Sequence, residues 1–312
     1  MSLAQSAETG TTRMIDDEIG KIERILAKDL FFIAATEKSG TTWLQSLIDA
    51  HPSAACRGEG QFFTQLSPKL ATATNEYQAF VKRLNTTVFD ETAGFPLMGR
   101  AEFRFLARSA AALMMAGYGD APEITAVGEK TPGTVRALGH MRELFPDAKV
   151  LFILRDGRDA AVSGWIHLVR QWGPKKGTEA LDHYAKRFAK IWRKDYEAAR
   201  VFADAHPADF LEIRYEALHA DPAREMSHVF EFLGLARDEA TLAQCIEAAS
   251  FGSLSGGRER GQEDRASQFR KGIVGDWRNH FDQAATDAFE AEAGDLLRQL
   301  GYADEPAREA GR

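Results

Sequence analysis

Three short basic blocks hold the residues best suited to chemistry in this chain. The first, Thr36-Glu37-Lys38-Ser39-Gly40-Thr41-Thr42-Trp43, follows the apolar run Leu30 to Ala35. A loop that leaves a buried strand and opens a helix turns its backbone N–H groups toward the helix N-terminus, where anions bind. Ser39, Thr41 and Thr42 add hydroxyl donors, Gly40 permits close backbone approach, and Lys38 brings a full positive charge. The nucleoside triphosphate pattern G-x-x-x-x-G-K-[ST] needs its Lys after the second Gly, and a Ser or Thr after that Lys to take magnesium. Here Lys38 precedes Gly40 and the first Gly is missing. The loop therefore suits a phosphate or sulfate group held without an obligatory metal.

The second block, residues 149–165, reads KVLFILRDGRDAAVSGW. Arg155 leaves the end of an apolar run, where ligands of open α/β sheets collect. Asp159 is a candidate helix N-cap, which brings Ser163 near the first turn of the helix that follows. Arg155 and Ser163 could then converge on one phosphate; equally, Arg155 could pair with Asp156 or Asp159 at the surface. The third block, FRKGIVGDWRNHF at residues 269–281, sets Arg270 and Lys271 before Gly272. It reads either as a phosphate grip or as a solvated charged loop. It closes a glycine-rich, charged stretch from Ser253 to Gly275 that we read as a lid ordering on an anion.

Alternating strands and helices must position these blocks. Short apolar, β-branched or aromatic runs predict strands at Leu30–Ala35, Ile124–Gly128, Val150–Leu154 and Phe210–Ile213. Helical periodicity fills Thr42–Ala50, Thr134–Phe145, Asp159–Gln171, Leu181–Ala205 and Gln283–Leu300. Apolar residues on more than one side of these elements predict a single α/β domain with a mostly parallel central sheet flanked by helices. Its expected bounds are 30–302, after an N-terminal extension and first helix at 1–29 and before a tail at 303–312.

Bulk composition narrows the function further. The 312 residues carry a net charge of −7, so a long nucleic-acid groove is not expected and an anionic ligand needs a local basic cluster. Cys56 and Cys245 are the only cysteines, with neither metal-ligand spacing nor a disulfide framework. Met1 to Thr12 lacks the apolar core of a secretory signal, and no stretch approaches the ~20 apolar residues of a membrane span. The expectation is a cytoplasmic protein with reduced thiols and no membrane span.

In this order, KSGTTW, LRDGRDAAVS and RKGIVGDWRNHF resemble the sulfotransferases that use 3′-phosphoadenosine 5′-phosphosulfate (PAPS), over about Leu30 to Phe281. The resemblance implies a P-loop-like phosphosulfate-binding loop, with PAPS as co-substrate, its desulfated form PAP as product, and no metal. It implies that Lys38, Ser39, Gly40, Thr41 and Thr42 bind the 5′-phosphosulfate end and that Trp43 stacks on adenine. Arg155, Ser163, Arg270, Lys271 and Gly272 would take the 3′-phosphate, with Tyr215 and Phe251 as further nucleotide contacts. The chain departs from cytosolic members at Thr36-Glu37, where they carry Tyr-Pro, and at VGEKTPGT, where Pro132 stands in place of the catalytic His of a K-T-H stretch. The E-K-T-P form resembles carbohydrate and bacterial sulfotransferases, in which a Glu is the base. Glu129 is thus the expected base, Lys130 would hold the sulfuryl oxygens, and Lys38 would stabilise charge on the bridging oxygen. His167 is the reserve base; His51 and His140 read as structural. The short dimer motif of cytosolic members is not preserved after RNHF, which leaves the oligomeric state open.

The expected reaction moves a sulfuryl group from PAPS to a hydroxyl or amine of a small-molecule, lipid or carbohydrate acceptor by in-line attack. A P-loop small-molecule kinase would want Lys after Gly and a magnesium ligand. A non-catalytic nucleotide-binding protein would be marked by Glu129 and Lys38 lying far apart or paired elsewhere. The segments Cys56–Leu70 and Asn75–Tyr118, with Phe62, Phe63, Phe80, Phe89 and Phe95, are the expected acceptor walls.

Overall fold

A computed structural model describes residues 3–88, 94–172, 180–267 and 269–302, with side chains from residue 14 onward except at 170–172. The chain opens with α1 (Leu3–Leu26), β1 (Asp29–Ala34), α2 (Thr41–Asp49) and β2 (Ala54–Gly58). Then come α3 (Ser67–Thr87), α4 (Arg100–Gly119), β3 (Ala126–Lys130), α5 (Leu138–Leu144) and β4 (Lys149–Leu154). Next are α6 (Gly157–Trp172), α7 (Leu181–Ala205), β5 (Phe210–Arg214), α8 (Tyr215–Ala220) and α9 (Pro222–Leu233). The last helices are α10 (Glu239–Ala248), α11 (Phe251–Ser255) and α12 (Gln283–Gln299).

The five strands form one sheet in the order β2-β3-β1-β4-β5, and every pairing is parallel. Strand alternation divides β1 between two cores. Leu30, Phe32 and Ala34 enter the cluster shared with α4, α5, α7 and α12, while Phe31, Ile33 and Ala35 enter the one shared with α2, α9 and α10. Burying a Phe or Leu side chain stabilises by roughly 1.5–3 kcal/mol, so the doubly covered β1 anchors the domain. Because all strands run the same way, their C-terminal ends share one edge. The loops that carry Lys38, Glu59, Thr131 and Arg155, and the start of α8 at Tyr215, open there.

One register position constrains the sheet closely. Gly128 pairs with Phe31, and a Cβ at Gly128 would lie 2.1 Å from Phe31 Cε2 in the fully buried core. Gly128→Ala should therefore lower stability by about 1–3 kcal/mol, the usual cost of overpacking. Urea unfolding followed by circular dichroism checks this; an unchanged midpoint would show that Phe31 relaxes freely.

Several elements differ from expectation. β2 was not foreseen, because Ala54-Ala55-Cys56-Arg57-Gly58 has no β-branched or aromatic residue. The Thr134–Phe145 helix begins instead as a 3-10 turn, Pro132–Ala137, before α5; Ala137, at φ −130, interrupts the run. Asp159 is not the N-cap of α6, which starts two residues earlier, and it is Asp156 whose Oδ1 accepts from Arg158 N at 2.9 Å. The first helix joins the domain: α1 packs on α4, with Ile25 in the main core. Residues 303–312 lie outside the described residues. Among the described residues, no helix is long and apolar enough to cross a membrane.

Candidate active site

The loop after β1 turns through two left-handed residues, Lys38 at φ 69 and Gly40 at φ 99. A side-chain-bearing residue in that region is strained, and such strain gathers at functional loops. Tyr215 closes on Gly40 so tightly that a Cβ there would lie 2.5 Å from Tyr215 Cδ2. Trp43, in the first turn of α2, is fixed by its indole N–H, which donates to Ala249 O at 3.0 Å.

Arg155 sits beneath this loop, its guanidinium 4.2 Å from the Tyr215 ring centroid. It donates to Lys38 O and Ile273 O, both at 3.3 Å, and stands 3.6 Å from Asp159 Oδ2. Its Nε is buried with no hydrogen-bond partner among the described residues. Asp159 contributes something the sequence did not suggest. Its two oxygens accept from Gly275 N at 2.7 Å and Trp277 N at 2.8 Å, fastening the third block to the start of α6.

In the third block Arg270 and Lys271 both pair with the buried Asp276, and Arg270 also reaches Glu263 at 2.6 Å. Burial alone would raise the Asp276 carboxyl, but hydrogen bonds from Lys271, Asn279 and Arg270 hold it well below the usual carboxylate range. Gly272, at φ 63, lies under Phe251, where a Cβ would come 2.6 Å from Phe251 Cδ2; His219 Nε2 holds Gly272 O at 3.0 Å. The expected lid is a folded loop. Arg258 donates to Phe269 O at 2.6 Å and to Arg270 O at 3.0 Å, and Gly261 N donates to Lys271 O at 2.8 Å.

These parts enclose one cavity of about 670 Å³. Lys38, Gly40, Thr41, Thr42, Trp43, Arg155, Ser163, Tyr215, Phe251, Arg270, Lys271 and Gly272 all line it, as does His167. Ser39 does not; it is buried behind the loop. Arg260, which no sequence signal singled out, also lines the cavity, with its guanidinium 5.4 Å from the Trp43 ring centroid. Among the described residues no group of three His, Cys, Asp or Glu side chains converges as a metal site.

The profile of the Sulfotransferase family matches residues 31–239. The chain belongs to the sulfotransferase family. Protein-tyrosine sulfotransferase A of Caenorhabditis elegans is 26% identical over 216 residues, which are 68% of this chain and 51% of that protein. Sulfotransferase 2A1 of Macaca fascicularis is 27% identical over 183 residues, 51% of this chain and 63% of its own. The chain thus spans about half the length of the nematode relative. Among solved structures, mouse sulfotransferase SULT7A1 complexed with PAP superposes with a TM-score of 0.56 at 18% identity, covering 88% of this chain and 89% of that one. Sulfotransferase STF9 from Mycobacterium avium gives 0.51 at 12% identity over 93% and 86%. Both show the same fold.

The carboxylates at the ends of β2 and β3 are placed very differently. Glu129, on β3, is 2% exposed and lies behind the cavity wall. Its Oε1 accepts from Gly60 N at 2.7 Å and from Thr131 Oγ1, while Oε2 has no partner among the described residues. Burial pushes its carboxyl up, against the opposing pull of hydrogen bonds from Thr131, Gly60 and Gln61. Lys130 is likewise buried and reaches Glu59 Oε1 at 2.7 Å. Glu59 itself lines the cavity, with 43% of its side chain exposed. The sequence reading missed Glu59 because it missed β2; a lone Glu leaving a strand end within GEG was the available signal.

Of the segments expected as acceptor walls, Cys56–Leu70 lines the cavity through Glu59, Gln61, Thr64 and Gln65, but not through its phenylalanines. Phe62 and Phe63 are buried in the core against Phe32 and Phe145, and Phe80 and Phe95 face solvent. Phe89 lies outside the described residues. At the end formed by β2 and β3 the lining is polar instead: Glu37, Gln61, Thr64, Gln65 and Arg136.

Proposed function

We propose that this chain is a PAPS-dependent sulfotransferase in which Glu59 is the base that takes the acceptor proton. The observation that carries the reading is the convergence of the three basic blocks on one cavity that Glu59 also enters. The residues present suit the nucleotide. Gly40 and Gly272 let Tyr215 and Phe251 pack directly on the backbone of two basic blocks, and the buried Nε of Arg155, with no partner among the described residues, is a donor in want of an anion. Arg155, Ser163, Arg270 and Lys271 would hold its 3′-phosphate, Lys38 and the loop amides its 5′ end, and Trp43 and Phe251 its adenine. When bound, PAPS supplies the sulfuryl group and leaves as PAP.

Each side chain then has a defined task. Glu59 accepts the proton of an acceptor O–H or N–H as that oxygen or nitrogen attacks sulfur. Lys130, buried and paired with Glu59, fixes the carboxylate, and Glu129 fixes the loop beneath it through Gly60 N–H. Lys38 places positive charge beside the leaving oxygen, and no magnesium is needed for that task. The polar β2/β3 end favours a neutral or amine-bearing polyhydroxylated acceptor over a phenol or sterol. A hydrocarbon surface there would strip water from Gln61, Thr64, Gln65 and Arg136 without replacing its hydrogen bonds.

Transfer of labelled sulfuryl from PAPS to an oligosaccharide, an amino-oligosaccharide, p-nitrophenol and a sterol tests the reading. Saccharides should be the better acceptors by about tenfold or more in kcat/KM. Faster transfer to the phenol or sterol would overturn the acceptor assignment. No transfer and no PAPS hydrolysis would overturn the activity.

A further inference from the structure

The guanidinium of Arg155 is only weakly held by its own bonds. It reaches two carbonyls at 3.3 Å and stands against the Tyr215 ring and, at 3.6 Å, Asp159 Oδ2. Hydrogen bonds that long fix a side chain poorly. Its place therefore depends on the backbone at the end of β4, which two side chains hold. Trp192 Nε1 donates to Arg155 O at 3.1 Å, and the next N–H, that of Asp156, donates to Glu216 Oε1 at 2.9 Å. Glu216 follows Tyr215, so its carboxylate joins the neighbours of both members of the Arg155–Tyr215 pair.

The other oxygen of Glu216 is taken by a residue from far along the chain. Tyr302 Oη donates to Glu216 Oε2 at 2.8 Å. The end of α12 places this tyrosine. Gly301, at φ 73, turns the chain so that Gly301 N donates to Arg298 O at 3.1 Å and Tyr302 N to Leu297 O at 2.8 Å. Arg214 braces the turn, donating to Leu300 O at 2.7 Å with its guanidinium 5.3 Å from the Tyr302 ring centroid. Tyr302 O accepts from Arg158 at 2.5 Å. Arg158 in turn forks onto both oxygens of Asp156 and lies 3.8 Å from the Trp277 ring centroid in the third block. Tyr302 thus holds both supports of Asp156: Glu216 on its N–H and Arg158 on its carboxylate. Burial, and next the Glu216 carboxylate, push the Tyr302 phenol well above its usual range, so the hydroxyl stays a donor.

We infer that Tyr302 is a positioning residue for the nucleotide site, holding Arg155 in place through Glu216 and Asp156. The inference rests on the assignment of the 3′-phosphate to Arg155. Tyr302 lies well beyond residue 239, where the match to the family profile ends. A binding group works at full strength only when the groups around it are themselves locked. Glu216 and Arg155 are near enough for their charges to attract, yet no hydrogen bond joins them among the described residues. Tied to Tyr302 and Asp156, Glu216 leaves the guanidinium to the phosphate. Released from Tyr302, it competes for that guanidinium.

Calorimetric titration with PAP tests this in four proteins: wild type, Tyr302→Phe, Arg155→Ala and the double variant. Tyr302→Phe removes one hydroxyl and should raise the PAP dissociation constant about tenfold. In the Arg155→Ala background the same change should cost less than about twofold, because the group it positions is gone. A role in stability alone predicts no loss of affinity in the folded variant, or equal losses in both backgrounds. Thermal unfolding and far-ultraviolet circular dichroism show which proteins are folded. If Tyr302→Phe is not, Glu216→Gln takes its place with the same two expectations. Unchanged PAP affinity, or equal losses in both backgrounds, overturns the inference and leaves the nucleotide site standing. A wild type that does not bind PAP overturns both.

Discussion

Glu59→Gln should lower turnover by about 10²–10⁴-fold, the usual loss when a general base is removed. The substitution preserves shape and a hydrogen-bonding group but leaves no carboxylate to take the acceptor proton. PAP affinity should stay within about threefold of wild type, because none of the groups assigned to the nucleotide is altered. Glu129→Gln is the informative partner. Its Oε1 accepts from Gly60 N at 2.7 Å, and an amide oxygen keeps that bond in a weaker, uncharged form. The amide NH2 replaces the buried Oε2, which has no partner among the described residues, so the loop that presents Glu59 loosens. The expected loss is about tenfold, accompanied by lower thermal stability. Single-turnover rates with saturating PAPS and one accepted acceptor separate the cases. If Glu59→Gln turns over normally and Glu129→Gln is inactive, the base is Glu129. Should only His167→Ala abolish turnover, the base is that histidine, which also lines the cavity.

PAP should raise the unfolding temperature by several degrees at a hundredfold excess over its dissociation constant, where binding adds about 2.7 kcal/mol. ATP and adenosine 5′-phosphosulfate should shift it little, since neither carries the 3′-phosphate that Arg155, Ser163, Arg270 and Lys271 are proposed to hold. Arg155→Ala should remove most of the PAP effect. That guanidinium has a buried Nε with no partner among the described residues and stands between the loop at Lys38 O and the third block at Ile273 O. Thermal shift and calorimetric titration with the three nucleotides check both statements. Equal stabilisation by all three, or a PAP response unchanged in Arg155→Ala, would remove the assignment of the 3′-phosphate site.

Much of this protein was legible in its sequence. Strong, local signals transfer well: the buried runs of β1 and β4, the long periodic stretch that became α7, and the three basic blocks in order. Each depends on residues close together in the chain, where propensity and periodicity act. Four of five strands were foreseen, and twelve of the thirteen residues expected at the nucleotide line one cavity. Ser39 is the exception, turned inward where the loop passes through Lys38 and Gly40 at positive φ.

What the sequence could not decide was which side of a wall a residue occupies. Glu129 and Glu59 are both acidic residues at strand ends, and only the sheet order, with β2 outside β3, buries one and presents the other. The same holds for the phenylalanines expected around the acceptor. Phe62 and Phe63 follow Gln61, whose φ of 52 starts a tight π turn, and they face the core, not the cavity. Asp159 joins two blocks more than a hundred positions apart through bonds to backbone N–H groups, which any residue but proline could offer. The sequence determined the chemistry this chain can carry, because charge, hydroxyl and glycine content are properties of single residues. The tertiary structure decided which of those groups meet, because desolvation and contact depend on the packing of elements far apart in the chain.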